Sequence, residues 1–166
     1  MVLNIYFNAI RISIFFIIKL MIISKTPYRI SFFGGGTDYP SWYNKNGGQV
    51  VSTTINKYIY ITLRDLPQFF DHNFRIVYTK TERVNKINEI QHPVVREVLK
   101  KFKISKGLEI HYDGDLPARS GLGSSSAFTV GLINTVSKLL NQTFSKKKIA
   151  SDAIFIEQKK INEVVG

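Results

Sequence analysis

The stretch Asp115 to Ala127, DLPARSGLGSSSA, gathers the residue types that handle phosphate. Gly121 and Gly123 allow positive φ and close approach of the backbone to a ligand. Ser124, Ser125 and Ser126 follow, and then the apolar run Ala127-Phe128-Thr129-Val130-Gly131-Leu132-Ile133. The preceding segment, Gly107 to Tyr112, alternates like a strand, so the order is strand, glycine-rich loop, helix. A helix start offers free N–H groups and the positive end of the macrodipole, which together favour an anion such as phosphate. The string is not a P-loop, and it is not a dinucleotide fingerprint, because G-x-G-x-x-G fails at Ser126. The plainer alternative is a flexible loop capped by a serine at a helix start.

Two further places stand out. Residues 25–38, KTPYRISFFGGGTD, read as a strand entering Gly34-Gly35-Gly36, which leaves Thr37 and Asp38 on a mobile or tightly turned backbone. An ordinary β-turn accounts for that stretch equally well. Glu157 lies in a helical pattern, where a lone glutamate is usually a solvated face residue. Metal ligation by nitrogen or sulfur has little support. His72, His92 and His111 are scattered without ligand spacing and read as surface or hydrogen-bonded core residues, and cysteine is absent.

The string Pro117-Ala118-Arg119-Ser120-Gly121-Leu122-Gly123-Ser124-Ser125 resembles the P-x-x-x-G-L-G-S-S-A phosphate motif of the GHMP kinases, departing only at Ser126 for Ala. Pro27, Arg29, Gly34, Asp38 and Tyr39 resemble the first motif of the same family. The Gly35-Gly36-Thr37-Asp38 form looks like the branch that contains D-glycero-D-manno-heptose 7-phosphate kinases and fucokinase-like enzymes. The helix around Glu157 is similar to the family's A-x-x-x-E helix.

That resemblance implies an α+β fold, the ribosomal protein S5 domain 2-like domain, with a mixed sheet packed against helices. It implies ATP and Mg²⁺ as cofactors and a sugar or sugar phosphate as acceptor, phosphorylated at its anomeric hydroxyl. ATP phosphates would sit on Pro117, Arg119, Ser120, Gly121, Leu122, Gly123, Ser124, Ser125 and Ser126. Ser125 and Glu157 would hold Mg²⁺, which needs only one or two protein oxygens beside phosphates. Arg29 would stabilise charge near the acceptor. Gly35, Gly36, Thr37 and Asp38 would bind the sugar, with the carboxylate accepting hydrogen bonds from its hydroxyls. The family's catalytic Asp and its C-terminal domain have no counterpart in the sequence. The resemblance therefore covers residues 21–166 as an N-terminal domain, expected to be inactive alone, with the other half supplied elsewhere, by another polypeptide in one arrangement.

The elements that must position these residues follow from pattern. Val50 to Arg64 is β-rich, and Phe74 to Thr79 is a short strand. Tyr39 to Gln49 reads as a turn-rich connection, with Trp42 and Tyr43 as packed loop anchors or, alternatively, sugar-facing aromatics. Pro93 to Phe102 has proline at a first helical position and apolar residues at helical spacing. A buried helix is expected over Ser124 to Leu140, through Phe128, Leu132, Val136 and Leu139. Another begins at Ser145 and carries Ile149, Ala153, Ile156 and Lys160 on one face.

The 166 residues suffice for one domain with a real core. A net charge of +11 suits acidic partners. ATP and a sugar phosphate meet that description, and so does RNA, which makes an RNA- or anion-binding S5-like domain the rival reading. The glycine–serine loop argues against nucleic acid, and an inactive kinase fragment is a third reading. Lys146-Lys147-Lys148 reads as a solvated helix face. Residues 1–20 are apolar but interrupted at Lys19, without a cleavage site. They are expected to stand outside the fold, with translation starting at Met21; a membrane anchor is the lesser alternative. The absence of cysteine permits a reducing cytoplasm, the expected location.

Overall fold

A computed structural model describes residues 21–118 and 120–161. The apolar segment 1–20 and Arg119 lie outside the described residues, so neither expectation placed on them is addressed. The strands β1 (Met21–Phe33), β2 (Val51–Asp65), β3 (Phe74–Val77), β4 (Thr81–Val84) and β5 (Leu108–Gly114) form one sheet in the order β1-β2-β5-β3-β4. β1 with β2, β2 with β5 and β3 with β4 are antiparallel, whereas β3 and β5 run parallel. The sheet is therefore mixed, and helices pack on it, the α+β architecture expected from the order of elements.

The helices are α1 (Pro40–Asn46), α2 (Pro93–Lys101), α3 (Ser124–Leu139) and α4 (Lys146–Phe155). α3 lies across β1 and β2. Alternation along β2 sends Ile59, Ile61 and Leu63 to the helix side, where they join Leu108 and Ile110 of β5 and Phe128, Leu132 and Val136 of α3. Each such side chain contributes about 1.5–3 kcal/mol by leaving water. Gly131 sets the depth of α3 on the sheet. A Cβ there would stand 2.7 Å from Thr26 Oγ1 and 3.1 Å from Ile61 Cδ1, so a larger residue would lift the helix. α2 adds Val94, Val95, Val98 and Leu99 to the same core.

The structure departs from the sequence reading in three places. Residues 40–46, expected as a turn-rich connection, form α1, with Pro40 at its first turn, where the missing N–H costs nothing. Trp42 is 51% exposed and Tyr43 is 37% exposed, so neither is the packed anchor expected; the Tyr43 hydroxyl instead lies 3.2 Å from Gln158 Oε1. β4 escaped notice because its inward residue is Glu82, and the period of two carries no apolar signal there. The starts of α2, α3 and α4 agree with the sequence to within a residue. At α4 the Ser145 hydroxyl accepts the Lys148 N–H at 3.2 Å, a serine cap at the expected helix start.

Candidate functional site

The glycine-rich loop is clamped at its root. The Tyr28 hydroxyl, fully buried, donates to the Leu116 carbonyl at 2.9 Å. Asp115 is tied to β2 through its own N–H, which donates to the Tyr58 carbonyl, and through its carboxylate, which accepts the Tyr58 N–H at 2.8 Å. The loop then returns to β1, where the Arg29 N–H donates to the Leu122 carbonyl at 3.1 Å. Pairing of β1 with β2 jumps from Pro27·Tyr58 to Arg29·Thr54 at this point, and the irregularity delivers Arg29 to the loop.

Gly121 and Gly123 have φ of +75° and +74°, conformations that penalise any side chain. Gly123, not a serine, stands at the N-cap of α3, and no side chain caps that helix. The serine-capped loop considered as an alternative is thus not what forms. Instead Ser124, Ser125 and Ser126 make the first turn, with the helix dipole behind them.

Glu157 meets that turn from the far side. It is only 3% exposed, which overturns the reading of a solvated helix face. The hydroxyls of Ser125 and Ser126 donate to Glu157 Oε1 and Oε2, each at 3.2 Å. Thr129 Oγ1 lies 2.8 Å from Glu157 Oε1 and 3.0 Å from the Ser125 carbonyl, so its single proton goes to one or the other. The local cause is helical spacing: Asp152 and Ala153 are buried on α4, and Ile156 and Glu157 follow them one turn later. α4 then passes into a π-turn at Ile156–Lys160, in which the Ile161 N–H donates to the Ile156 carbonyl. Lys160, expected on the same repeat as Ile156, is exposed.

The first glycine loop folds around Thr37. The Thr37 hydroxyl lies 2.7 Å from the Gly34 carbonyl and 3.0 Å from that of Gln49, and accepts the Gln49 N–H at 3.1 Å. Gly34 is held to glycine, because a Cβ would fall 1.8 Å from the Gln49 carbonyl oxygen. Asp38 Oδ1 accepts the Gly36 N–H at 2.9 Å, which orients the carboxylate.

The two glycine loops open onto one cleft of ≈ 1090 Å³. Arg29, Gly35, Gly36 and Asp38 line it from one side; Gly121, Gly123 and Ser124 to Ser126 line it from the other. Pro117, Ser120, Leu122, Thr37 and Glu157 do not line it: Pro117 and Ser120 are exposed beside it, whereas Glu157 is buried. Arg29 Nη1 donates to Ser31 Oγ at 2.8 Å, holding the guanidinium at the cleft wall.

The cleft has an apolar end. The rings of Tyr78, His92, Phe128 and Tyr112 succeed one another with centroids 5.0, 4.9 and 5.1 Å apart. They come from the end of β3, the approach to α2, the first turns of α3, and β5. Burial, a nearby Tyr28 and a hydrogen bond to it push the Tyr112 hydroxyl up to about 12, so it stays protonated.

Sequence reasoning missed Thr129 and this ring series. Thr129 had a signal: it lies one helical turn after Ser125 and hence on the same face. The rings had none, since no local pattern joins four elements. As a test of metal fit, Ser125 and Glu157 offer hydroxyl and carboxylate oxygen, hard donors suited to Mg²⁺ with phosphates completing its shell. No group of three or more His, Cys, Asp or Glu with metal-site geometry occurs among the described residues.

Comparison with known proteins gives a consistent result. Residues 85–166 match the family model described as GHMP kinases N terminal domain. A D-glycero-alpha-D-manno-heptose 7-phosphate kinase of Campylobacter jejuni is 31% identical over 155 residues, covering 86% of this chain and 45% of that protein. A galactokinase of Pyrococcus furiosus is 30% identical over 149 residues, covering 86% of this chain and 39% of that protein. Among solved structures, a D-glycero-D-manno-heptose 1-phosphate kinase from Bacteriodes thetaiotaomicron superposes with a TM-score of 0.75 at 24% identity, covering 89% of this chain and 51% of that one. The chain spans less than half the length of these curated relatives. No helix among the described residues is long and apolar enough to cross a membrane.

Proposed function

The chain belongs to the GHMP kinases through its N-terminal domain, and we propose that it forms the nucleotide-binding part of an ATP-dependent sugar kinase. The acceptor is a sugar or sugar phosphate, with D-glycero-D-manno-heptose 7-phosphate the first candidate and galactose the second, as the names of the two curated relatives suggest. The observation that carries the reading is the buried Glu157 carboxylate facing Ser125 and Ser126 at the uncapped start of α3.

Phosphoryl transfer asks a protein mainly to position and to neutralise. Backbone N–H groups of the loop from Ser120 to Ser126 cradle the triphosphate, with Pro117, Arg119 and Leu122 shaping its approach. Ser125 and Glu157 would hold Mg²⁺ through hydroxyl and carboxylate oxygen, and the ion would supply neutralisation of phosphate charge. Thr129 fixes the Glu157 carboxylate. The ring-lined end of the cleft takes the base, which is planar and apolar on its faces. Arg29 stabilises charge near the acceptor. Asp38, already oriented by the Gly36 N–H, accepts hydrogen bonds from sugar hydroxyls, with Gly35 and Gly36 allowing close approach and Thr37 holding the loop shut. No described residue is assigned as the base that takes the acceptor proton.

Calorimetric titration with ATP, with and without Mg²⁺, tests this reading. Saturable binding that tightens with Mg²⁺ is expected. Absence of binding under both conditions would sink it. Release of ADP with heptose 7-phosphate or galactose, in the presence of the remainder of the kinase, then separates the acceptors.

A further inference from the structure

Glu82 is a carboxylate where a strand would ordinarily bury an apolar residue. It sits on β4 at 6% exposure and does not itself line the cleft. Three donors converge on it. The Tyr78 hydroxyl and the Gln91 N–H each donate at 2.6 Å, and the His92 N–H donates at 3.0 Å. Its donors belong to two separate pieces of chain, the β3–β4 turn and the approach to α2, and all three residues line the cleft. Burial, with the hydrogen bond to Glu82, raises the Tyr78 hydroxyl well above the usual tyrosine range, so it remains a donor.

A buried carboxylate is costly unless donors surround it. The three donors meet that cost, and in doing so they fix the Tyr78 and His92 rings at one end of the ring series. The β3–β4 turn has one other polar tie to the 90–92 segment, the exposed Lys80 ammonium, which donates to Gln91 Oε1 at 2.7 Å. Thr79 and Lys80 are exposed, and the Tyr78 N–H donates to the Lys80 carbonyl within the turn. Without Glu82, nothing among the described contacts ties the Tyr78 side chain to the 90–92 segment apart from ring packing.

We propose that Glu82 is a positioning residue for nucleotide recognition, setting the shape of the base-binding end of the cleft while leaving the phosphate loop untouched. This rests on the nucleotide reading of the cleft. It makes a prediction that a merely structural carboxylate would not: loss of Glu82 discriminates between ligands with and without a base.

The test compares MgATP with magnesium tripolyphosphate, which carries the phosphates alone, for the parent chain, Glu82→Gln and Tyr78→Phe. Glu82→Gln keeps the volume but turns an amide NH₂ toward N–H donors. It should weaken MgATP about tenfold, the loss of roughly one charge-assisted hydrogen bond. Tripolyphosphate should change by less than about twofold. Tyr78→Phe removes one of the three donors and should weaken MgATP about threefold, again without effect on tripolyphosphate. In the free protein, the Gln91 and His92 amide resonances should shift in Glu82→Gln, whereas that of Gly123 should not.

A parent that binds both ligands, with Glu82→Gln indistinguishable from it, overturns the role of Glu82 and leaves the nucleotide reading standing. Equal loss of both ligands overturns it too, because the effect would then be general. A parent that binds neither ligand overturns the nucleotide reading and this inference with it. If Glu82→Gln fails to fold, Tyr78→Phe decides: unchanged MgATP binding there would refute the proposal.

Discussion

Thr129 Oγ1 lies 2.8 Å from Glu157 Oε1, a fully enclosed contact between the first turns of α3 and the π-turn that follows α4. It joins the two candidate metal-binding elements behind the cleft surface. Thr129→Val keeps the shape and removes the donor. A hydrogen bond to a charged group contributes about 1.5–3 kcal/mol, so thermal unfolding should fall by roughly 3–12 °C at about 2–4 °C per kcal/mol. Magnesium-dependent tightening of ATP should shrink as well, because the carboxylate loses its anchor. Calorimetry with and without Mg²⁺ reads that second effect. An unchanged melting temperature would mean that Thr129 serves the Ser125 carbonyl instead.

Gly121 and Gly123 share one backbone conformation but differ in their surroundings. A Cβ on Gly121 meets open space, whereas one on Gly123 would stand 3.0 Å from Arg29 Cγ. Alanine at either position bears the left-handed penalty of about 1–2 kcal/mol. Only Gly123→Ala also displaces Arg29. Both variants should lose similar stability and both should weaken MgATP, but Gly123→Ala alone should weaken binding of the sugar acceptor. Equal acceptor affinities in the two variants would detach Arg29 from the acceptor site.

The elements that carry strong local pattern were legible. Gly107 to Ile133 announced strand, loop and helix, because glycine, hydroxyl and apolar residues fall in separate blocks. Pro93 marked a helix start through its missing N–H, and Ser145 through its side-chain hydroxyl. What was hidden depends on distant contacts. Glu82 looks like a solvated residue until its three donors arrive from positions 78, 91 and 92. Glu157 by itself passes for a helix-face glutamate; only the family resemblance singled it out, because the hydroxyls of Ser125, Ser126 and Thr129 that surround it lie about thirty residues earlier in the chain. α1 was missed because Trp42, Tyr43 and the glycines after it suggest a loop, while its single helical signal is Pro40.

Ser125 and Asp38 face the same cleft from opposite loops, and their roles separate experimentally. Ser125→Ala should weaken MgATP about tenfold and leave acceptor binding nearly unchanged. Asp38→Ala should do the reverse, lowering acceptor affinity about tenfold or more through the loss of charge-assisted bonds. Ligand titrations of both variants provide the check. If each behaved like the parent toward ATP and acceptor alike, the assignment of the two loops would be wrong.

Acid stability should turn on Glu109, on the sheet face away from α3. Its carboxylate is 1% exposed and pairs with Arg64 and Arg75, while His111 Nε2 lies 2.6 Å from Oε1. Burial alone would raise its pKa, but hydrogen bonds from His111, Arg75 and Arg64 outweigh burial and hold it below the ordinary value of 4.5. A depressed carboxylate stabilises the fold fully above its unfolded pKa, and that contribution is lost as pH falls through the lower folded value. The parent should therefore keep its melting temperature down to about pH 5 and lose it steeply below about pH 4. Glu109→Gln should be less stable at neutral pH by about 2 kcal/mol, discounted for the exposure of Arg64. Its melting temperature should fall less between pH 5 and pH 3 than that of the parent. Melting curves of the two proteins across that range decide the matter: parallel acid limbs would show that other carboxylates govern acid unfolding.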